Sequence, residues 1–378
     1  MTRKIAVVTT TIRVPEFLIG ISENAVANDR TDITFYIIGD VKTPNKAIEL
    51  CNSLNDKYPF SYLYFGIKDQ EKKLSDFPEL LKLIPYNSGV RKLLGNVIAY
   101  LDGADTVIQV DDDNFVTDDD FVGSHCIVDR EIDIQLIESE TGWFNVYEPL
   151  REKNNIPFFP RGFPWSERDY YGKVRIKNIR KKAKIVVLNG LVYEDPDVDA
   201  ISRLFWPIRV VGIDPEYTPN YGLHPGTWSS FNNQNTSTSR ELTRVYFTPQ
   251  AGERNADIWA SFVICRLVEH CGDVIAFGSP FVKQLRNPHD FWEDLDGELT
   301  SNKMTDIFVH SLRSVELEST NYLNALGELI DKCIQKLGDT NDLEEVGYSM
   351  ILNFFREYQV WYEIFTRIRK DEQNKSVT

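Results

Sequence analysis

Short apolar runs alternate with helix-like stretches along the N-terminal part of the chain. The apolar runs are rich in β-branched residues and lie at Ile5–Thr9, Ile33–Ile38, Tyr62–Phe65 and Thr106–Val110. Between them, Glu16–Ala27 is amphipathic and Ser88–Leu101 has apolar residues at helical spacing. Compact apolar runs of this length are typical of buried parallel strands. Strands that alternate with helices predict an α/β fold with a parallel, doubly wound sheet.

The middle of the chain, residues 147–239, lacks this alternation. It is rich in Pro, Gly, Asn and aromatic residues, which predicts loops and short strands over the edge of the sheet. Long irregular stretches in compact enzymes are often binding loops, so we expect segments that shape a substrate site here.

Helical periodicity returns in the C-terminal part. Apolar spacing predicts helices over Asp257–His270, Thr305–Val315, Thr320–Leu337 and Leu343–Lys370, followed by a frayed tail from Asp371 onwards. The pattern divides the chain into a catalytic domain, residues 1–300, and a C-terminal helical subdomain, residues 301–378.

Length and composition narrow the class of protein. The chain has 378 residues, 42% of them hydrophobic, and can bury a large core. Its net charge of −15 disfavours nucleic-acid binding, because a negative surface repels a phosphate backbone. The five cysteines form no C-x-x-C pair, which favours reduced thiols. No apolar run reaches the ~20 residues that span a bilayer, so we expect a soluble, cytoplasmic protein without a transmembrane segment.

Three adjacent carboxylates, Asp111, Asp112 and Asp113, directly follow the apolar run Thr106–Val110. Ligands of open α/β sheets bind beyond the carboxyl ends of the strands. Alternate residues at a strand end share a face, so Asp111 and Asp113 are expected to converge on a divalent cation such as Mg²⁺ or Mn²⁺. The alternative is a solvated acidic turn, and the preceding strand favours the metal site. A second cluster, Asp118–Asp120, is interpreted as a helix cap.

Polar residues also end the first predicted strand. Thr10, Thr11 and Arg13 offer hydroxyl groups and a fork-shaped guanidinium that suit a nucleotide base or diphosphate. Taken alone, this segment is equally an ordinary strand-to-helix turn with a surface arginine.

An arginine-proline-aromatic segment, Phe158–Arg168, is the most unusual stretch of the chain. Its prolines restrict the backbone around Arg161 and Arg168, for which we favour a functional role. Further along, Asp257 stands at the start of an apolar helix. It is either a general base for an acceptor hydroxyl or only the N-cap of that helix, and the sequence does not separate these roles.

Several common site motifs do not occur. The chain has no G-x-G-x-x-G, no G-x-x-x-x-G-K-[ST], no G-x-S-x-G and no H-E-x-x-H. Their absence argues against a dinucleotide site, a P-loop, a serine hydrolase and a zinc hydrolase.

A set of segments spread over nearly the whole chain carries a resemblance to a known family. The segments are Thr10–Arg13, Ser88–Gly95, Val110–Asp113, Phe159–Arg168, Asn189–Ala200, Arg254–Trp259 and Val360–Glu363. In this order they resemble P-T-I-R, D-S-A-C-R-C-F-G, I-D-D-D, F-V-R-G-Y-P-F-S-L-R, H-G-L-W…P-D-Y-D-A, R-Y-D-D-M-W and T-W-I-E. These are motifs of the reversibly glycosylated polypeptides, which include the UDP-arabinopyranose mutases, and of their prokaryotic relatives. The resemblance implies a GT-A-type (Rossmann-like) fold with a mostly parallel sheet and helices on both faces.

The resemblance also implies roles for single residues. The aspartate cluster would bind metal and UDP-sugar, with Asp111 and Asp113 on ribose and metal and Asp112 among the donor-binding residues. Arg161 matches the position associated with reversible self-glycosylation. Arg91 matches the family's helix segment and, like Thr10, Thr11, Arg13 and Arg168, is expected to contact the donor.

The chain departs from the family pattern at two places. Lys283-Gln284 stands where the family has W-H-S-K, so the family's histidine has no counterpart at this position. Ala256-Asp257 replaces a pair of aspartates.

The leading hypothesis is a metal-dependent glycosyltransferase that uses Mn²⁺ or Mg²⁺, a nucleotide-diphosphate sugar, expected to be a UDP-sugar, and an unknown acceptor. The alternative is a UDP-sugar pyranose/furanose mutase, and the third hypothesis is a non-catalytic scaffold of the same fold. Formation of a homo-oligomer stays open.

Overall fold

The computed structural model describes residues 3–169, 174–286, 290–338 and 345–377. The strands in these ranges are β1 (Ile5–Thr11), β2 (Ile33–Gly39), β3 (Ser61–Phe65), β4 (Thr106–Val110), β5 (Asn114–Val116), β6 (Arg130–Ser139), β7 (Leu150–Glu152), β8 (Ile176–Tyr193), β9 (Val210–Ile213), β10 (Asn220–Leu223), β11 (Asn235–Ser239) and β12 (Val274–Gln284). The helices are α1 (Phe17–Ala27), α2 (Lys46–Lys57), α3 (Ile67–Lys73), α4 (Pro78–Leu83), α5 (Lys92–Leu101), α6 (Phe121–His125), α7 (Ala200–Phe205), α8 (Arg240–Thr243), α9 (Ala256–Cys271), α10 (Phe291–Arg313), α11 (Tyr322–Gly338) and α12 (Glu345–Val377).

One mixed sheet organises the molecule, in the strand order β3-β2-β1-β4-β11-β8-β6-β10-β12-β5. Its first four strands are parallel, as the alternation of strands and helices predicts. β11 then runs antiparallel to both β4 and β8. β8 also pairs with β12, so β8, β6, β10 and β12 form a closed circuit of paired strands. The small sheet of β7 and β9 is separate.

Helices cover both faces of the parallel strands. Successive side chains of β1 point to opposite faces of the sheet, so each face buries apolar side chains against a different helix. Ala6 and Val8 belong to one buried cluster together with α5. Ile5 and Val7 belong to another, together with α1. Gly95 allows α5 to approach the sheet closely, since a Cβ atom there would lie 2.5 Å from Val8 Cγ1. The predicted α/β fold class, with helices on both faces, is confirmed.

The C-terminal helices share the core of the sheet-bearing part. The Trp259 and Phe308 rings stack with centroids 4.3 Å apart, and those of Phe247 and Trp361 with centroids 4.8 Å apart. The predicted C-terminal helices are therefore present and closely packed. Because α10 runs from residue 291 to residue 313, it crosses the predicted boundary at residue 300, and the two-domain division stays a prediction.

The middle of the chain is more regular than the sequence predicts. β8 is a strand of 18 residues, and β11 lies in the interior of the sheet instead of over its edge. β11 lies in the stretch predicted to form loops and short strands. All five of its residues are polar, yet all five are buried. Their side chains are satisfied internally: His125 bonds Ser237 Oγ at 2.8 Å and Asn235 Oδ1 at 3.0 Å. A buried strand can be polar when every group finds a partner, and a hydrophobicity pattern does not detect it.

The predicted fraying of the tail is also wrong. α12 continues as a helix of 33 residues to Val377. Glu372 accepts hydrogen bonds from Arg240 Nη2 at 2.7 Å and from the Tyr100 hydroxyl at 3.2 Å, which hold the last turns against the domain. Within the described ranges, no helix combines the length and apolarity that a bilayer crossing requires.

The second acidic cluster caps a helix, as predicted. The Asp120 carboxylate accepts a hydrogen bond from the backbone N–H of Gly123 at 2.9 Å and is the N-cap of α6. Asp119 instead accepts from Ser279 Oγ at 2.6 Å and from the Phe281 N–H at 2.9 Å. This cluster therefore has a structural role.

The buried imidazole of His125 makes stability depend on pH. Burial lowers the pKa of His125 from 6.5 to about 4, so the folded protein keeps it neutral where the unfolded chain takes up a proton. Stability is therefore full above pH 6.5 and falls as the pH drops towards 4. Lowering the pH from 7.5 to 5 is therefore expected to reduce the free energy of unfolding by about 2 kcal/mol through His125.

Urea denaturation at the two pH values checks this expectation. The wild type loses about 2 kcal/mol more than His125→Gln over the interval. The control His310→Gln, at an exposed position, keeps the wild-type pH dependence. Equal losses in wild type and His125→Gln would show that the imidazole is not responsible.

Candidate active site

The three aspartates after β4 each have a different partner. The Asp111 carboxylate pairs with Lys92 Nζ. Asp112 accepts a hydrogen bond from Thr11 Oγ1 at 2.6 Å, and Asp113 accepts one from Gln284 Nε2 at 3.2 Å. Each of the three carboxylates is thus half-buried and is held by a different side chain.

Burial shifts the pKa of two of these three carboxyl groups. Burial raises the pKa of Asp113 above its ordinary value, and the neighbouring Asp111 carboxylate raises it further. Burial also raises the pKa of Asp112, although the hydrogen bond from Thr11 opposes this. A positive charge placed among the three would relieve this cost.

The end of β1 contributes two of its three predicted residues to this cluster. Thr11 bonds Asp112, and Arg13 Nε lies 4.0 Å from the same carboxylate. The Arg13 side chain is 44% exposed and can reach a ligand. Thr10 differs, since its hydroxyl donates to the Ile38 carbonyl at 2.8 Å and ties β1 to β2.

The start of α5 brings a cation that the sequence analysis did not single out. Lys92 is 3% exposed, pairs with Asp111, and donates to the Asn233 carbonyl at 2.8 Å. Its neighbour Arg91, the predicted donor ligand, is 2% exposed and lies 3.9 Å from Asp40. Arg91 also donates to the carbonyls of residues 84 and 85, so it braces the loop before α5. The sequence feature that could have identified Lys92 is its position as the first residue of an apolar helix.

Arg161 is buried between two carboxylates. Its Nε donates to the two oxygens of Asp197 at 3.0 and 3.1 Å, and its Nη2 donates to those of Asp257 at 3.1 and 2.9 Å. Burial opposes ionisation of Asp197, but the guanidinium holds the pKa of Asp197 well below its usual range. The two carboxylates in turn raise the pKa of Arg161, against the effect of burial.

The position of Asp257 in α9 excludes one of the two roles that the sequence left open for it. The N-cap of α9 is Asn255, and Asp257 is the second residue of the helix, so the N-cap interpretation is wrong. The Asp257 side chain is 17% exposed beside Arg161, so part of it remains accessible.

Arg168, the other arginine of the segment, is used inside the fold. Its Nη2 lies 2.7 Å from Asp199, and its guanidinium stacks 3.6 Å above the Trp165 ring. Asp199 is itself the N-cap of α7. These contacts direct Arg168 towards α7, so the structure does not support its predicted role in donor binding.

A chain of polar side chains links the aspartates to Arg161. Gln284, which bonds Asp113, accepts from Arg286 Nη2 at 3.1 Å. Arg286 Nη2 lies 4.0 Å from Asp197, the partner of Arg161. Asn232 Nδ2 also donates to Asp197, at 2.8 Å. The two groups of predicted site residues therefore belong to one network, although Gln284, Arg286 and Asn232 were not predicted.

The donor atoms of the cluster fit a hard cation that is shared with a substrate. The described part of the chain holds no group of three or more His, Cys, Asp or Glu side chains placed to bind a metal ion. Asp113 Oδ1, however, is buried and has no hydrogen-bond partner among the described residues. Mg²⁺ commonly binds through one or two carboxylates together with substrate phosphates. Asp113 fits this role better than Asp111, which Lys92 already engages.

Comparisons with known proteins give likenesses at low identity. No protein-family model matches the chain, and no curated protein sequence matches it. Among solved structures, S. aureus TarS 1-349 has 12% identity and a TM-score of 0.36 over 96% of this chain and 91% of its own. A mannosyltransferase, PcManGT from Pyrobaculum calidifontis, in complex with GDP-Man and Mn²⁺, has 10% identity and a TM-score of 0.39 over 96% and 86%.

A third likeness is to glucosyl-3-phosphoglycerate synthase from Mycobacterium tuberculosis, in complex with Mn²⁺, UDP and phosphoglyceric acid. It has 13% identity and a TM-score of 0.38, and covers 83% of this chain and 80% of its own. At these identities and TM-scores, the likenesses carry no argument about the activity of this chain.

Removal of Arg161 tests whether it neutralises buried charge. In Arg161→Met, the Asp197 and Asp257 carboxylates lose the guanidinium that they share, which is expected to cost about 3–5 kcal/mol of unfolding free energy. Chemical denaturation at pH 7 measures this. The matched control Arg180→Met breaks an exposed pair with Asp133, whose side chains are 70% and 59% exposed, and is expected to cost at most about 1 kcal/mol. A similar cost for both variants would contradict the electrostatic role of Arg161.

Proposed function

We propose that this chain is a metal-dependent glycosyltransferase whose donor is a nucleotide-diphosphate sugar, expected to be a UDP-sugar. Half-buried carboxylates and a partly exposed guanidinium meet at the carboxyl ends of β1 and β4, two adjacent parallel strands. This arrangement carries the proposal, because the carboxyl ends of such strands are where α/β proteins bind ligands. One Asp113 oxygen, which is buried and finds no hydrogen-bond partner in the described ranges, would serve as a ligand for a cation.

Each residue of the cluster has a proposed task. Asp113 would hold the cation, and Asp111, positioned by Lys92, would contact the ribose and share the metal. Arg13, positioned by Asp112 and Thr11, would bind the diphosphate. A bound Mn²⁺ or Mg²⁺ would neutralise the negative charge that develops on the leaving diphosphate.

The transfer step conserves atoms and charge. A hydroxyl oxygen of the acceptor forms a bond to the anomeric carbon of the donor, while the bond from that carbon to the diphosphate breaks. The electron pair leaves with the nucleoside diphosphate. The hydroxyl proton passes to a base, for which Asp257 is the candidate because its carboxylate is partly accessible.

Arg161 is proposed as a positioning residue. Its guanidinium is engaged by two carboxylates and by Asn255 Oδ1 at 3.4 Å. If Arg161 attacked a sugar, its guanidinium would have to leave both ion pairs. Breaking buried ion pairs costs more free energy than breaking the exposed ion pair of a surface arginine. It would thus orient Asp257 instead of accepting a sugar itself.

Metal-dependent nucleotide binding is the first test. Calorimetry is expected to show tighter binding of UDP to the wild type with Mn²⁺ than without it. Asp113→Asn removes one charged ligand, and a charged contact worth about 1.5–3 kcal/mol corresponds to a loss of roughly tenfold or more in the Mn²⁺-dependent affinity.

Asp118→Asn is the matched control, since it makes the same change at an exposed position nearby. It should leave the affinity for UDP and Mn²⁺ unchanged. A wild type that binds UDP equally well with and without Mn²⁺ would contradict the proposal and favour a scaffold.

Product analysis is the second test. After incubation with a panel of UDP-sugars and Mn²⁺, the wild type is expected to release free UDP faster than Asp113→Asn, by chromatography of the nucleotides. The sugar would appear on an acceptor or in solution. Conversion to an isomeric UDP-sugar without release of UDP would instead identify a mutase.

A further inference from the structure

Lys92 places a buried positive charge inside the aspartate site. It is the first residue of α5, and all but the last residue of this helix are buried. An ammonium group that is withdrawn from water needs partners with negative or partial negative charge. Lys92 Nζ has two of them, the Asp111 carboxylate and the Asn233 carbonyl oxygen at 2.8 Å. A cation of the protein itself therefore already engages one of the three aspartates.

The loop before β11 fixes the ammonium group in this position. The Asn233 carbonyl accepts from Lys92, and the next carbonyl, that of Gln234, accepts from the Asp111 N–H at 2.9 Å and from Asn114 Nδ2 at 2.8 Å. The same loop thus holds the lysine and the chain that carries the aspartates. Withdrawal of Lys92 from Asp111 would also break its buried hydrogen bond to Asn233, which adds to the cost.

Each carboxylate of the site keeps one oxygen for a further ligand. Lys92 engages Asp111 Oδ1, Thr11 donates to Asp112 Oδ2, and Gln284 donates to Asp113 Oδ2. The second oxygen of each aspartate has no hydrogen-bond partner within the described ranges, and that of Asp113 is buried. Oxygen ligands for a cation are thus present, so charge decides whether a cation binds.

The charge of the site disfavours a divalent cation that arrives alone. Lys92 and Arg13 offset two of the three carboxylate charges, which leaves one net negative charge. A divalent cation would reverse this balance. It would also lie close to the Lys92 ammonium group, because both would use Asp111, and like charges at short range in a partly buried site repel strongly. A diphosphate that arrives with the cation supplies the missing negative charge.

We propose that Lys92 keeps a divalent cation from binding the aspartate site by itself, so that the cation binds tightly only together with the diphosphate of the donor. Lys92 is a positioning residue that acts through Asp111, and Asp111 shares the cation only once the diphosphate is present. The donor therefore completes the cation site. The need for a diphosphate rests on the proposed function, whereas the exclusion of a lone cation by Lys92 does not.

Binding of Mn²⁺ in the absence of nucleotide tests the proposal, with the electron paramagnetic resonance signal of unbound Mn²⁺ as the readout. The wild type is expected to bind Mn²⁺ weakly. Lys92→Met removes the ammonium group and releases Asp111, so the affinity for Mn²⁺ should rise roughly tenfold or more. Lys92→Arg keeps the charge and should behave as the wild type does. Lys73→Met makes the same change in an exposed pair with Asp102 and should leave the affinity unchanged.

A double-mutant cycle shows whether the gain passes through Asp111. Asp111→Asn is expected to change the Mn²⁺ affinity of the wild type little, because Lys92 already engages this carboxylate, but to remove the gain in Lys92→Met. A gain in affinity does not arise from loss of structure. If a thermal melt shows that Lys92→Met does not fold, Lys92→Gln replaces it, since its neutral amide can still donate to Asn233.

Three results would overturn the proposal. They are an affinity of the wild type for Mn²⁺ that is as high without UDP as with it, no gain in a folded variant with a neutral residue at position 92, and a gain that persists with Asp111→Asn. Calorimetry with UDP separates this proposal from the proposed function. If UDP binds only with Mn²⁺ but the neutral variants show no gain, the role of Lys92 fails alone. If the gain appears but UDP does not bind, the transferase fails and the exclusion of a lone cation stands.

Discussion

Negative charge placed in a partly buried position must be balanced, and this requirement governs the end of β4. Three consecutive aspartates follow a fully buried strand, and burial together with repulsion from the neighbouring carboxylates raises the pKa of Asp112 and Asp113. The fold answers by giving each carboxylate its own partner, Lys92, Thr11 or Gln284. These partners come from α5, β1 and β12, so the elements that build the sheet also build the site. One oxygen of Asp113 remains without a hydrogen-bond partner among the described residues.

The same requirement explains the position of Arg161. The buried Asp197 and the half-buried Asp257 need a cation, and a planar guanidinium can serve both because its nitrogens point in different directions. Arg161 thereby connects the segment before β8 to the start of α9 and orients Asp257. Loss of this arginine is expected to cost stability, because both carboxylates would lose the cation that they share.

Local sequence determined the parallel strands, the capping role of Asp120 and the aspartates at the end of β4, because each depends on neighbours in the chain. Hydrophobic spacing and N-cap chemistry act over a few residues. Tertiary structure alone decided that Lys92 meets Asp111, and that Arg161 lies beside Asp257, 96 positions away. It also turned a polar stretch into β11, since only distant partners such as His125 satisfy its side chains. Such pairings depend on how the whole chain packs, and neither residue type nor spacing reveals them.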